Sequence, residues 1–244
     1  EFEWQSGVTN RNLQADFTYF PSPSSTIDFG VSGIFYDFNP GSVKIRTSDE
    51  PAEFPLDLDE EHAIEAAAYF NHEKKFGDRV TVQYGLRYSA FANVGRRDVF
   101  EYQNGIPSPD NPVTDTVSYG AGEVIKFYDG WEPRFSINYS LNEQTAFKAS
   151  YNRLFQYIQL VSNTTAATPI DIWTPANQYI RPAIVDQVAL GYFRNFRQNT
   201  FEFSAEVYYK NFQDLIDFRN GAELILNETL ETELLSGKGP AYGL

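Results

Sequence analysis

The connections between the extended segments of this chain come in two lengths, and the two lengths alternate. Short polar turns at residues 21–25 (PSPSS), 74–78 (KKFGD), 142–144 and 194–199 (RNFRQN) are separated by long stretches at residues 39–61, 93–129, 157–184 and 219–238. The segments between them have a period of two. In residues 79–92, for example, Val80, Val82, Tyr84, Leu86, Tyr88 and Ala90 alternate with Arg79, Thr81, Gln83, Arg87 and Ser89. Successive side chains of a strand point to opposite faces, so such a segment is apolar on one side and polar on the other. A soluble two-sheet sandwich has no reason to gather every tight turn at one end and every long loop at the other. An antiparallel barrel that crosses a membrane has that arrangement, with its apolar faces turned to lipid and its polar faces to the interior.

The same alternation runs through residues 12–20, 26–38, 62–73, 131–141, 145–152, 187–192 and 200–211. Several of these segments exceed the roughly 9–11 residues that a tilted strand needs to cross the hydrocarbon. Residues 1–6 read as the end of a strand already under way, and AYGL at 241–244 as the start of another. The expected fold class is all-β: an antiparallel transmembrane β-barrel, of which about ten strands are present as an arc of a larger one. The pairs Tyr19 and Phe20, Phe35 and Tyr36, and Tyr208 and Tyr209 fall at strand ends, where interfacial aromatic girdles are expected.

Composition narrows the function. Aromatic residues make up 16% of the chain while hydrophobic residues reach only 42%, and mean hydropathy is −0.42. That balance suits strands with one apolar and one wet face. No run approaches the roughly 18–20 apolar residues of a membrane-spanning helix, so any span is β. Cysteine is absent, which rules out disulfides, thiolate metal sites and thiol catalysis. The formal charge of −14 opposes a nucleic-acid partner, because such binding requires Lys and Arg to displace counterions. The chain opens on Glu1, has no Met and shows no export signal, so it reads as part of a longer translation product.

Candidate sites are few. The carboxylates Asp49, Glu50, Glu53, Asp57, Asp59, Glu60 and Glu61 could chelate calcium, but no glycine-centred loop spacing accompanies them. His62 and His72, the two histidines, stand at opposite ends of one strand and cannot converge on a metal. No catalytic residue, metal ligand or cofactor is expected. The stretch SNTTAATPIDIWTPANQY (162–179) is the loop best suited to ligand contact. Trp173 and Tyr179 can stack on a ligand, and Asn163, Thr164, Asp171 and Asn177 can hydrogen-bond to it. The plainer expectation for the same loop is packing against its neighbours, its path fixed by Pro169, Pro175 and Pro182. NET at 227–229 matches a glycosylation triplet, a three-residue pattern from which no function is expected. Gln83, Arg87, Arg134, Asn138, Lys148 and Asn152, with Arg79, are expected to line the interior.

WEPRFSINYSLNEQTAFKASYNRLFQYIQLVSN (131–163), DIWTPANQYIRPAIVDQVALGYFRNF (171–196), EVYYKNFQDLIDFRNGAEL (206–224) and GKGPAYGL (237–244) together resemble the C-terminal half of the barrel of TonB-dependent outer-membrane receptors of the Bacteroidetes type. The resemblance covers roughly residues 63–244. It implies that residues 1–244 are part of a 22-strand barrel domain whose plug, TonB-contacting box and final strands lie elsewhere. It further implies an importer of a scarce solute such as a metal chelate, glycan or peptide. The implied partners are the plug domain, the TonB energy-transducing complex, the lipid bilayer with its lipopolysaccharide and, in this branch of the family, a surface lipoprotein. A plugless pore or structural barrel, and a soluble β-sandwich binding module, are the alternatives.

Overall fold

The computed structural model describes residues 2–45, 56–161, 172–197, 200–222 and 227–244. In chain order the strands begin with β1 (Phe2–Ser22), β2 (Ser25–Ile45), β3 (Leu56–Asp57), β4 (Glu61–Phe76) and β5 (Val80–Val94). Then come β6 (Arg97–Tyr102), β7 (Val113–Tyr119), β8 (Val124–Asn142), β9 (Thr145–Gln156) and β10 (Ile158–Val161). The last are β11 (Ile172–Pro175), β12 (Ala183–Phe196), β13 (Phe201–Phe218) and β14 (Leu234–Gly243). The main sheet runs β1-β2-β4-β5-β8-β9-β12-β13-β14, with β3 beside the far end of β2. Every pairing is antiparallel, and each wall strand lies beside the next one in the chain. The fold is therefore an up-and-down meander with its short turns at one end and its long loops at the other.

Residues 2–6 and 12–20 prove to be portions of a single strand, β1, paired along its length with β2. Residues 241–243 do not start a strand of their own; they belong to β14, which begins at Leu234. The two central long loops contain hairpins of their own, β6 with β7 and β10 with β11. The period-two signal missed these strands because they are short and lie in polar surroundings.

The register sorts the side chains into two faces. One row across the sheet reads Phe17, Phe29, Phe70, Leu86 and Pro133. This outer face is solvent-open and apolar, and it includes Val31, Trp131, Phe135, Leu190 and Val207. A soluble protein does not leave a continuous sheet face of this kind bare. The opposite, inner face carries Gln83, Arg87, Arg134, Asn138, Lys148 and Asn152, as expected for the interior.

Polar groups bound the apolar band. On β4 the outer face reads His62, Ile64, Ala66, Ala68, Phe70 and His72. His62 Nδ1 lies 2.9 Å from Asp37 Oδ1, and Arg11 Nη2 is 3.0 Å from Asp37 Oδ2. Farther along the same belt, the Tyr88 hydroxyl donates to Asp129, and Asp186 accepts from both Tyr151 and Arg153. At the other edge, His72 lies between Ser25 and Tyr84. Ten residues of strand separate the two histidines; at about 3.3 Å per residue and a tilt of about 40° they span about 25 Å, the height of a barrel's apolar belt.

The aromatic pairs at strand ends need correcting. Adjacent residues point to opposite faces, so only one ring of each pair can reach a membrane. Phe35 lies outside, whereas Tyr36 faces inward, is buried, and stacks on Phe38. Tyr209 pairs within the outer row, and Tyr208 lies on the inner side.

Candidate functional site

The interior is built up where the long loop between β9 and β12 turns back over the wall. Tyr157, just past β9, stacks on Phe91 of β5 with centroids 4.9 Å apart and planes nearly parallel, and its hydroxyl is 2.8 Å from Ser89 Oγ. Around this stack Tyr36, Phe38, Ala63, Phe91 and Ala176 form the main buried cluster. Phe155 lies flat over Gly130, where any β-carbon would meet its ring. The hairpin of β10 and β11 is closed by the Ala176 N–H donating to the Tyr157 carbonyl. It acts as a strap across the inner face.

Near the strap the wall carries an ionic cluster. Glu132, 2% exposed, lies 3.8 Å from both Arg87 and Arg134. Arg87 also meets Glu65 at 3.2 Å, and the Tyr36 hydroxyl donates to the other Glu65 oxygen. Two carboxylates and two guanidinium groups balance, as groups withdrawn from water require.

At the long-loop end, three loops and the start of β4 come together. The Tyr102 hydroxyl donates to Glu231 Oε1 at 2.8 Å across a separation of 129 residues. The Tyr179 hydroxyl donates to the Phe100 carbonyl at 2.8 Å, and its ring stands edge-on to Tyr102. Tyr128 donates to the Asn177 carbonyl, and Arg97 Nη1 is 2.7 Å from Glu61 Oε2. Burial, followed by the nearby Glu231 carboxylate, pushes the Tyr102 phenol well above its usual range. Burial likewise raises Tyr179. Both phenols therefore remain neutral donors and tie the loops into one cap. Beneath them is a cavity of about 250 Å³, rimmed among the described residues by Asp59, Glu61, Asp98, Glu228 and Glu231, with Arg97 as the one cation of these.

The sequence candidates divide as follows. Asn163, Thr164 and Asp171 lie outside the described residues, as do Asp49, Glu50 and Glu53 of the acidic stretch. Trp173 is 46% exposed on β11, paired with Leu160 on the hairpin face opposite Thr174. Tyr179 is held in the cap, and Asn177 Oδ1 accepts the N–H groups of Tyr179 and Ile180, so this amide serves a turn. Asn227 and Thr229 of the NET triplet also form a side-chain turn. Among the described residues no group of three or more His, Cys, Asp or Glu is placed to hold a metal ion. Ser25, His72 and Tyr84 are linked like a nucleophile, base and orienting group. However, the third member is a phenol instead of a carboxylate, and Ser25 is buried, so the link fastens a turn to the wall. Arg97 and Glu231, which line the cavity, and Tyr102 beside it carried no sequence signal, whereas Thr174 lies within the 162–179 stretch without being singled out there. They come together only through loops far apart in the chain.

A meander of long antiparallel strands with a bare apolar belt, a polar inner wall and loops sorted by end defines the class: a barrel wall of the outer-membrane kind. A family model described as TonB dependent receptor-like, beta-barrel matches residues 2–228. The chain belongs to that family, and the match extends over the N-terminal sixty residues, where the sequence resemblance is weaker. A search of curated proteins gave no match. Among solved structures the chain is similar to the copper transporter OprC, at 12% identity and TM-score 0.55 over 88% of this chain and 32% of that one. It is also similar to the FrpB iron transporter of Neisseria meningitidis in its apoprotein form, at 13% identity and TM-score 0.53 over 96% and 33%. The ferric-catecholate import receptor Fiu of E. coli K12 matches at 12% identity and TM-score 0.51 over 97% and 35%. These likenesses establish the fold. The chain spans about a third of the length of each of these structures.

Proposed function

We propose that this chain is a portion of the barrel of a TonB-dependent outer-membrane importer, supplying wall, inner surface and ligand-facing loops for the uptake of a scarce solute such as a metal chelate, glycan or peptide. The observation that carries this reading is the pairing of an outer belt about 25 Å high with an inner wall lined by polar and charged side chains, Gln83, Arg87, Arg134, Asn138, Lys148 and Asn152 among them. Such a wall suits a polar body seated inside the barrel, which in this reading is a plug domain of the same protein. The TonB complex would drive movement of the plug, and the outer face would lie in bilayer and lipopolysaccharide. A surface lipoprotein could cover the long-loop end. No step of substrate chemistry is assigned to the chain.

The test is uptake by the source cells. Deleting the gene, collapsing the proton-motive force and removing TonB should each abolish accumulation of the cognate solute to the same extent. Uptake that survives loss of TonB and of the proton gradient would show a passive pore instead.

A further inference from the structure

The cavity beneath the tyrosine cap has a composition that selects a ligand. Among the described residues its rim carries five carboxylates and one guanidinium. That guanidinium, Arg97, already lies against Glu61, which leaves four carboxylates without a cation of the rim. Among these only Glu231 has a side-chain partner described, the Tyr102 hydroxyl. Crowded carboxylates in a recess raise the local concentration of a cation.

Two further features make the recess more than a patch of acid. Its walls include Phe100, Ile172, Ile180 and Leu230, which can take an apolar stem. Thr174 also lines it, 2% exposed and on the same hairpin face as Ile172. Among the described residues, the Thr174 hydroxyl makes no side-chain hydrogen bond. The residue is buried yet lines the recess, so a donor placed there can pair with this hydroxyl. The volume, about 250 Å³, falls below the roughly 300–1,000 Å³ of pockets for drug-sized ligands. It suits a group the size of a single side chain.

We propose that this recess binds an organic cation on an apolar stem, a guanidinium or ammonium group on an alkyl chain, with the charge held by the rim carboxylates that Arg97 does not pair, Glu231 among them, and an N–H donated to the Thr174 hydroxyl. Arg97 lying against Glu61 is an internal example of the same recognition. A divalent metal is a poorer occupant, because the described carboxylates do not converge in a metal-binding group. The inference deepens the transport reading by assigning a chemical class to what the long-loop end captures, namely a basic side chain of a peptide or a free alkylamine.

The test is calorimetric titration of the full-length receptor in detergent micelles with N-acetyl-arginine amide and its neutral isostere N-acetyl-citrulline amide, with 1,5-diaminopentane as the free-amine arm. The arginine compound should bind at least tenfold more tightly than the citrulline compound. Glu231→Gln should weaken it about tenfold, and Thr174→Val about threefold with unchanged salt dependence. A diamine that binds as well as the arginine compound would make a free amine the ligand, whereas a clear preference for the arginine compound would favour a peptide side chain. Equal binding of the arginine and citrulline compounds, no binding of any cation, or full displacement by equimolar magnesium would overturn the proposal. Thr174→Val keeps the carboxylates and their ion pair, so it reports on the recess even where Glu231→Gln perturbs the cap. Binding in micelles is read without transport. Failure here alongside TonB-dependent uptake would sink the ligand class and leave the importer standing.

Discussion

Tyr102 is the side chain on which the long-loop end most depends. Its hydroxyl joins two loops whose linked residues are 129 apart in the chain, and its partner Glu231 is a carboxylate, so the bond is of the stronger, charge-assisted kind. The packed phenol holds its proton more tightly than a free one, because burial and Glu231 both disfavour the phenolate. The stability this contributes is fully present below the free phenol value of about 10 and is lost as pH rises through the shifted value. The cap should therefore withstand pH up to about 10 and open above it, with Tyr102 and Tyr179 ionising late and together. Phenolate absorbance followed alongside protease cleavage of the loops would check this. Tyr102→Phe should loosen the cap by about 1–2 kcal/mol at neutral pH and remove the late alkaline step. A late step that persists in the variant would assign it to another tyrosine.

At the scale of elements, the wall was legible in the sequence and the strap was not. Val80 to Ala90 alternate because each strand separates lipid from water, a constraint on every residue that one sequence displays in full. The strap obeys no such period. It is set by single contacts, Tyr157 on Phe91 and Phe155 over Gly130, whose partners are 66 and 25 residues away and lie on strands of the wall. Reading WEPRFS as a strand identified its faces but could not show that Gly130, just ahead of it, must lack a side chain. The same limit explains why Trp173 and Tyr179, equivalent in the sequence, differ here: one is open on the hairpin and the other is fixed under Phe100. The contact at Gly130 makes a prediction. Gly130→Leu, on the inner face and away from lipid, should displace Phe155, pull Tyr157 from its stack and free the strap while the wall stays intact. Limited proteolysis should then cut between β9 and β12 at least tenfold faster, with strand content by circular dichroism unchanged. Unaltered cleavage would mean that the strap is held by the cap alone.

For the whole molecule, the two histidines of β4 set a position in the membrane that can be measured. If His62 and His72 mark the edges of the apolar belt, its midplane crosses β4 between Ala66 and Ala68, where the outer-face neighbours are Gly33, Val31, Ala90 and Tyr88. Ala66, Ala68, Gly33 and Ala90 make the centre of the belt lighter than its short-turn side, where Phe70, Phe29 and Phe17 lie. The chain contains no cysteine, so single cysteines carrying nitroxide labels can be placed along β4 of the full-length protein once any cysteines elsewhere are replaced. Oxygen accessibility should peak at residues 64, 66, 68 and 70 and fall at 65, 67 and 69, with the maximum at 66 and 68. Accessibility to a polar relaxant should be lowest at those two positions and rise toward 62 and 72. A maximum displaced to either end would move the membrane along the strands and remove the two histidines from its edges. Equal accessibility at odd and even positions would mean that both faces see one solvent, which no barrel wall with this register allows.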